Sequence, residues 1–249
     1  MNEPGERPIP EETPVAIVHD ATTTAVMMAT PADLEDFAVG FSLTEGVIAD
    51  PGEITAIETV ASDPGVEVRV WLRSDRSAAL AARRRTLAGP TGCGLCGIDS
   101  LSEATRSCRP VGEGVQLDSA QILAALNDLA AGQILGARTH AVHAAGWWSL
   151  TAGLVAVRED VGRHNALDKL VGTLARGDVA ASSGVLVLTS RVSVEMVQKA
   201  AAFGAQVLIA VSAPTALAVR TAREAGMTLV AIARQDGFEL FTRPDRVAL

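Results

Sequence analysis

Val185-Leu186-Val187-Leu188-Thr189-Ser190-Arg191 is a run of four apolar residues that breaks at once into two hydroxyls and a guanidinium. An apolar run of that length, with no polar alternation, reads as a strand buried on both faces. The same grammar continues downstream. Ser193–Phe203 reads as a helix stopped by Gly204, and Val207–Val211 as a second buried strand. Pro214–Ala225 reads as a helix with Pro in its first turn and Gly226 past its end, and Thr228–Ile232 as a third strand. Upstream, Leu154–Val157 reads as a strand and Gly162–Leu174 as a helix. Strands and helices alternating at these lengths predict an α/β fold, a parallel or mixed sheet covered on both faces.

Further towards the amino end the pattern changes. A helix from Asp118 or Ser119 to about Ala131 carries Ile122, Leu123, Leu126 and Leu129 on one side. Arg138-Thr139-His140-Ala141-Val142-His143 then leads towards Trp147 and Trp148. Pro14–His19 and Thr23–Met28 read as two short strands. Thr30-Pro31-Ala32-Asp33 reads as a helix start, with Thr as N-cap and Pro at the first helical position, and Gly46 and Asp50-Pro51-Gly52 close that helix. Ile54–Val60 is an expected strand, and Val66, Val68, Val70 and Leu72 alternate with Glu67, Arg69 and Trp71 as a half-buried one. Ser77–Leu87, rich in Ala and Arg, is expected to be helical. The domain reading is a disordered lead over 1–12, a small α+β unit over 13–110, and the α/β unit over 111–249.

Composition narrows the function. With 249 residues and 48% hydrophobic content the chain can build a full core without disulfides. A formal net charge of −8 argues against a general nucleic-acid binder. Three cysteines make no even disulfide framework, and a reducing compartment is the simpler reading. The polar first twelve residues lack the apolar core of a signal peptide, and no apolar run approaches the roughly 20 residues of a membrane span. The expectation is a soluble cytoplasmic protein.

Ligands of open α/β sheets lie beyond the carboxyl ends of the strands. Four junctions there carry polar residues: Arg163-His164 within Arg158–Asn165, Ser190-Arg191, Ser212-Ala213-Pro214-Thr215, and Arg234-Gln235-Asp236-Gly237. Hydroxyls, helix starts and arginines suit a phosphate-bearing ligand, although each junction alone reads as ordinary capping. No Walker or G-x-G-x-x-G pattern accompanies them.

Thr91-Gly92-Cys93-Gly94-Leu95-Cys96-Gly97 places two thiols two residues apart among glycines, after Arg83-Arg84-Arg85 and Gly89-Pro90. Nearby positive charge raises the thiolate fraction, and the thiolate is the reactive form. Four uses compete. Structural zinc, completed by His140 and His143, lacks compact finger spacing. A thioredoxin-like dithiol opens a helix after a strand, not a loop of glycines. A zinc deaminase needs H-x-E ahead of its cysteines, and His140-Ala141-Val142 has no glutamate and follows them. The fourth use is a persulfide carrier. Spacing leaves zinc and sulfur transfer even, and Cys108 reads as an inert small hydrophobe.

These motifs, with Glu159-Asp160-Val161-Gly162-Arg163-His164-Asn165-Ala166-Leu167-Asp168-Lys169, Ser190–Lys199, Ser212–Thr215 with Leu217-Ala218-Val219, and Thr30-Pro31, Asp33-Leu34-Glu35, Gly40-Phe41 and Glu45-Gly46, resemble the formate dehydrogenase accessory sulfurtransferase family, FdhD/NarQ. The resemblance runs in the family's order from about residue 13. It implies a cytidine-deaminase-like three-layer α/β/α domain without the deaminase zinc site, plus a smaller N-terminal α+β subdomain. It implies sulfur taken from a cysteine desulfurase as a cysteine persulfide. The sulfur then passes to the molybdenum cofactor, as bis-molybdopterin guanine dinucleotide, before insertion into formate dehydrogenase. Cys93 would carry the persulfide with Cys96 as partner. The stretch Ile232-Ala233-Arg234-Gln235-Asp236-Gly237 falls on the family's cofactor-binding segment. Arg163, His164, Ser190, Arg191, Ser212 and Thr215 join it as ligand contacts, GDP becomes a fragment ligand, and the exposed site invites a homodimer. Nucleic acid and membrane are not expected partners. Without the resemblance, Arg163, His164 and Lys169 read as a solvated helix face, His164 as a cap, and Glu195, Gln198 and Lys199 as surface pairs. The rival function is a zinc-binding or dithiol nucleotide-binding chaperone that transfers no sulfur.

Overall fold

The structure, a computed structural model, describes residues 8–78, 80 and 108–248. Cys93, Cys96, the three arginines before them and most of the helix expected over Ser77–Leu87 lie outside the described residues. The amino-terminal unit is a four-stranded sheet in the order β2-β1-β4-β3. Its strands are β1 (Thr13–His19), β2 (Thr22–Ala29), β3 (Ile54–Ser62) and β4 (Gly65–Leu72). The alternation of Val68, Val70 and Leu72 with Arg69 and Trp71 does as its period requires: the apolar set is buried and Trp71 is exposed. Helix α1 (Leu34–Thr44) lies on the apolar face, where Phe37, Ala38 and Phe41 pack with Val15, Ile17, Val68 and Val70.

Helix α1 does not start where its sequence suggests. Its N-cap is Asp33, in the left-handed region at φ 54°, with no side-chain cap bond. Thr30 is drawn off by residues far along the chain. Its N–H donates to Asp160, its hydroxyl accepts from the N–H of Val161, and its carbonyl accepts from Lys169. A capping signature is local, and here long-range partners outcompete it.

The second unit opens with β5 (Leu117–Asp118) and α2 (Ser119–Gly132). Asp118 and Gln121 close a reciprocal capping box at 2.8 and 2.9 Å. After the short α3 (Ile134–Thr139) come β6 (His143–Ser149), β7 (Gly153–Asp160), α4 (Arg163–Arg176), β8 (Val185–Leu188), α5 (Val194–Phe203), β9 (Val207–Ala210), α6 (Ala216–Glu224), β10 (Thr228–Arg234) and β11 (Gly237–Thr242). The closing β12 (Val247–Ala248) pairs with β5.

The sheet order is β11-β10-β9-β8-β6-β7. The three apolar runs, β8, β9 and β10, are mutually parallel, and the other neighbours are antiparallel, so the sheet is mixed. Side chains alternate between its faces. Trp147, Leu186, Leu188, Leu208 and Leu229 meet α4, α5 and α6. Trp148, Val185, Val187, Val207, Ile209 and Val230 meet α2. The result is three layers, α/β/α. Strands β6 and β11 and helix α3 were not among the expected elements. No helix among the described residues is long and apolar enough to cross a membrane.

The two units are locked through α1 and α4. Asp36 of α1 binds Arg158 at 2.7 Å and Arg176 at 2.7 Å. Behind that pair the helices touch backbone to backbone through Gly40 and Gly172.

Candidate functional site

Register fixes which loops meet. His143 opens β6 opposite Asp160, the last residue of β7, and Ala145 sits opposite Leu188, the last of β8. The carboxyl ends of β7, β8, β9 and β10 therefore share one edge, and α4, α5 and α6 start there. At about 4.8 Å per strand, this edge is about 19 Å long from β7 to β10. The loops after β8 and β9 are zipped together: the N–H of Val192 donates to Ala213 and that of Thr215 to Val192, at 3.2 and 2.9 Å. Strand β10 runs on past its neighbours, through Ile232 at φ 52°, into the turn before Gly237. Its bend is tied to the next loop by the Ile232 N–H, which donates to the Ser212 carbonyl at 3.3 Å.

All four sequence-derived junctions thus reach one edge, but their side chains do different things. Thr215 caps α6 through the N–H of Ala218 at 3.2 Å. Ser190 is 3% exposed and donates to the carbonyl of Arg191 at 3.1 Å. Arg191, Arg234, Gln235 and Asp236 are exposed, with Ser212, Ile232 and Gly237 half-buried and Ala233 in the core. The Gln235 amide bonds to Asn127 of α2, so the β10–β11 turn leans towards the α2 face.

Most of the stretch Glu159–Lys169 is scaffold. Glu159 accepts from the N–H groups of Leu135 and Gly136, at 2.8 and 2.7 Å, and so holds the start of α3. Asp160 accepts from Gly162 and Asn165 at 2.8 and 3.0 Å and pairs with Lys169 at 2.6 Å. Asn165 also donates to the Met28 carbonyl at 2.8 Å. Asp168 pairs with Lys199 at 2.9 Å and accepts from Thr44 at 2.7 Å, and Lys199 reaches Glu45 at 2.7 Å. Burial pulls the Lys199 ammonium down, but the Asp168 and Glu45 carboxylates outweigh it and hold the group charged above its ordinary value.

The solvated-face reading of Lys169 is thereby corrected, since it is 0% exposed, as is the surface-pair reading of Lys199. Residue type does not separate a buried Lys from a surface one. The missed signal is spacing: Asn165, Asp168 and Lys169 fall at i, i+3 and i+4 on the face of α4 that meets the other unit, just after Asp160 at the end of β7.

Arg163 and His164 are left out of this scaffold. Neither caps α4, whose N-cap is Gly162 without a side-chain bond. The Arg163 Nε and His164 Nε2 atoms are closed off from solvent and have no hydrogen-bond partner among the described residues. Burial pushes His164 down to about 4, and the Arg163 and Lys199 cations add to the effect against Glu195 and Glu45. His143 is also lowered, by burial and then by Arg163. His140 is exposed, and Cys108 is half-buried against the larger core. Among the described residues no group of three or more His, Cys, Asp and Glu is placed to hold a metal ion.

The model of the FdhD/NarQ family matches residues 10–248, and the chain belongs to that family. It is similar to proteins named sulfur carrier protein FdhD. The one from Agrobacterium fabrum is 53% identical over 98% of this chain and 91% of its own length. The one from Variovorax paradoxus is 47% identical over 95% and 85%. A crystal structure of a candidate formate dehydrogenase accessory protein from Desulfotalea psychrophila superposes with a TM-score of 0.76 at 27% identity, covering 96% of this chain and 90% of that one.

Proposed function

We propose that this protein is a cytoplasmic sulfur carrier for the maturation of formate dehydrogenase, with Cys93 as the carrying thiol. Its relatives over the full chain are named sulfur carriers, and a cytoplasmic, reducing setting keeps both thiols available. The Cys93 thiolate attacks the outer sulfur of a cysteine desulfurase persulfide. The donor S–S bond breaks, the donor cysteine leaves as thiolate, and Cys93 holds the sulfane sulfur as S–SH. Delivery as sulfide needs two electrons. The Cys96 thiolate supplies them by attacking Cys93 Sγ, forming a Cys93–Cys96 disulfide and releasing the outer sulfur as hydrosulfide.

The substrate that receives the sulfur is the molybdenum cofactor as bis-molybdopterin guanine dinucleotide. The observation that carries this reading is the convergence of Arg163-His164, Ser190-Arg191, Ser212–Thr215 and Ile232–Gly237 on one edge. The Arg163 and His164 nitrogens without partners among the described residues, and the exposed Arg191 and Arg234, fit a diphosphate, which brings negative charge and many acceptor oxygens. GDP is the matching fragment.

The test is the intact mass of the protein after incubation with a cysteine desulfurase and cysteine. One added sulfur should appear, map to Cys93 and vanish in Cys93→Ala. A label on Cys108 alone would refute the assignment. GDP binding without any sulfur uptake would instead make the chain a nucleotide-binding chaperone.

A further inference from the structure

Three side chains at the β7 end of the edge carry more than the proposed nucleotide contact. Arg163 neighbours His164 on α4, and burial first, then the Arg163 charge, lowers both His164 and His143 at the start of β6. Arg163 is also in the wrong place for its own helix. It occupies the first position of α4, where the macrodipole opposes a cation, and the first turn holds no acidic residue to offset it. Lys169, Lys199, Arg158 and Arg176 each have a carboxylate within 2.9 Å, whereas the Arg163 guanidinium has none within 4.0 Å among the described residues. Of the carboxylates bordering the cluster, Glu45 is held by Lys199 at 2.7 Å, and Glu195 on α5 lies beyond ion-pair distance of Arg163. A buried N–H without an acceptor loses its water bond and gains nothing in return. One anionic oxygen would answer both the buried Arg163 Nε–H and, in its Nε2–H tautomer, the buried His164 nitrogen.

We propose that Arg163 and His164, backed by His143, form an oxyanion pocket that takes one phosphoryl group, separate from the turn at Ile232–Gly237. This rests on the phosphate-bearing ligand proposed at the same edge but not on sulfur transfer. The pocket lies at the β7 and β8 end on the face of α4 and α5, while the turn after β10 lies two strand spacings from β8 and four from β7, roughly 10–19 Å away, and leans towards α2. A ligand filling both would lie across the sheet edge. Arg163 Nε donates to a phosphoryl oxygen. His164, neutral at physiological pH, gives a second, uncharged bond through Nε2.

The experiment titrates the full chain with inorganic pyrophosphate, GDP and guanosine by calorimetry. Arg163→Gln should weaken pyrophosphate and GDP by about tenfold or more and leave guanosine unchanged, as expected for one charge-assisted bond. His164→Ala should weaken both phosphate ligands several-fold, and His164→Gln, which keeps a donor nitrogen there, should recover most of the loss. Because the variants sit beside the inter-unit scaffold, the wild-type imidazole signals supply an independent reading: His164 should shift on adding pyrophosphate. No pyrophosphate binding, unmoved His164 signals at saturation, or an equal loss for guanosine would overturn the pocket and leave the orphaned atoms to bound water. A chain that forms its persulfide but ignores pyrophosphate fails only this inference. One that binds pyrophosphate but takes no sulfur fails only the carrier reading.

Discussion

Gly40 and Gly172 interlock where α1 crosses α4. A Cβ on Gly40 would lie 1.7 Å from the Asp168 carbonyl oxygen, and one on Gly172 would lie 1.8 Å from that of Asp36. The obstructing atoms are backbone, so no rotamer change relieves them. The contact presses α1 against the helix that presents Arg163 and His164, which makes the amino-terminal unit part of the site's foundation. Gly172→Ala should therefore destabilise the protein by at least the 1–3 kcal/mol typical of overpacking, read as a lower urea midpoint. A change under about 0.5 kcal/mol would show that the helices can slide apart freely.

The Lys169–Asp160 pair gives an asymmetric prediction. Both side chains are 0% exposed. Removing one partner of such a pair typically costs about 3–5 kcal/mol. Lys169→Met leaves the Asp160 carboxylate with donors from Thr30, Gly162 and Asn165. Asp160→Asn leaves the Lys169 ammonium with the Thr30 carbonyl and the Phe37 ring. Asp160→Asn should be the worse of the two in urea unfolding, and the reverse order would contradict this account of the network.

These networks also mark where the sequence stops being legible. Strands β8, β9 and β10 could be read because they are unbroken apolar runs punctuated by polar turns and glycines. Strand β6 could not, because His143-Ala144-Ala145-Gly146-Trp147-Trp148-Ser149 is buried on both faces without an aliphatic run. Strand β11 hid behind Gly237 because only its pairing with β10 defines it. Thr30 showed every mark of a cap, yet its groups serve residues some 130 positions away. At the site the junctions were visible as polar residues after strands. That Thr215 merely caps while Arg163 and His164 are stranded depends on packing that no local pattern records.

His164 should leave a signature in acid. Its ordinary value of 6.5 applies in the unfolded chain, and the folded value is about 4. Between those values the unfolded state binds a proton that the folded state refuses, so stability falls as pH drops from about 6.5 to about 4. The whole loss is on the order of 3 kcal/mol, at 1.36 kcal/mol per pH unit. His143, shifted in the same direction, adds to it. His164→Gln should flatten this part of the stability profile relative to wild type. Parallel profiles for the two proteins would show that the imidazole is freely protonated in the fold.

Base selectivity should separate from phosphate affinity along the same edge. Asp236 is the one carboxylate in Ile232–Gly237, and it is exposed on the turn. Guanine presents two adjacent N–H donors, at N1 and N2, and a carboxylate can accept both. Adenine has no such pair, and its N1 lone pair would meet the carboxylate unfavourably. Arg191, exposed after β8, is placed as a phosphate contact, and a diphosphate accepts its N–H donors and charge whatever the base. Asp236→Asn should therefore reduce the preference for GDP over ADP by about 1–3 kcal/mol, the usual discrimination of a bidentate base contact, by weakening GDP and, with the repulsion at adenine N1 removed, leaving ADP no weaker. Arg191→Ala should weaken both nucleotides by the same factor and leave their ratio intact. Titration calorimetry with the two nucleotides against wild type and each variant measures all of this. If Asp236→Asn left the ratio of GDP to ADP binding unchanged, guanine would have to be read elsewhere on the edge.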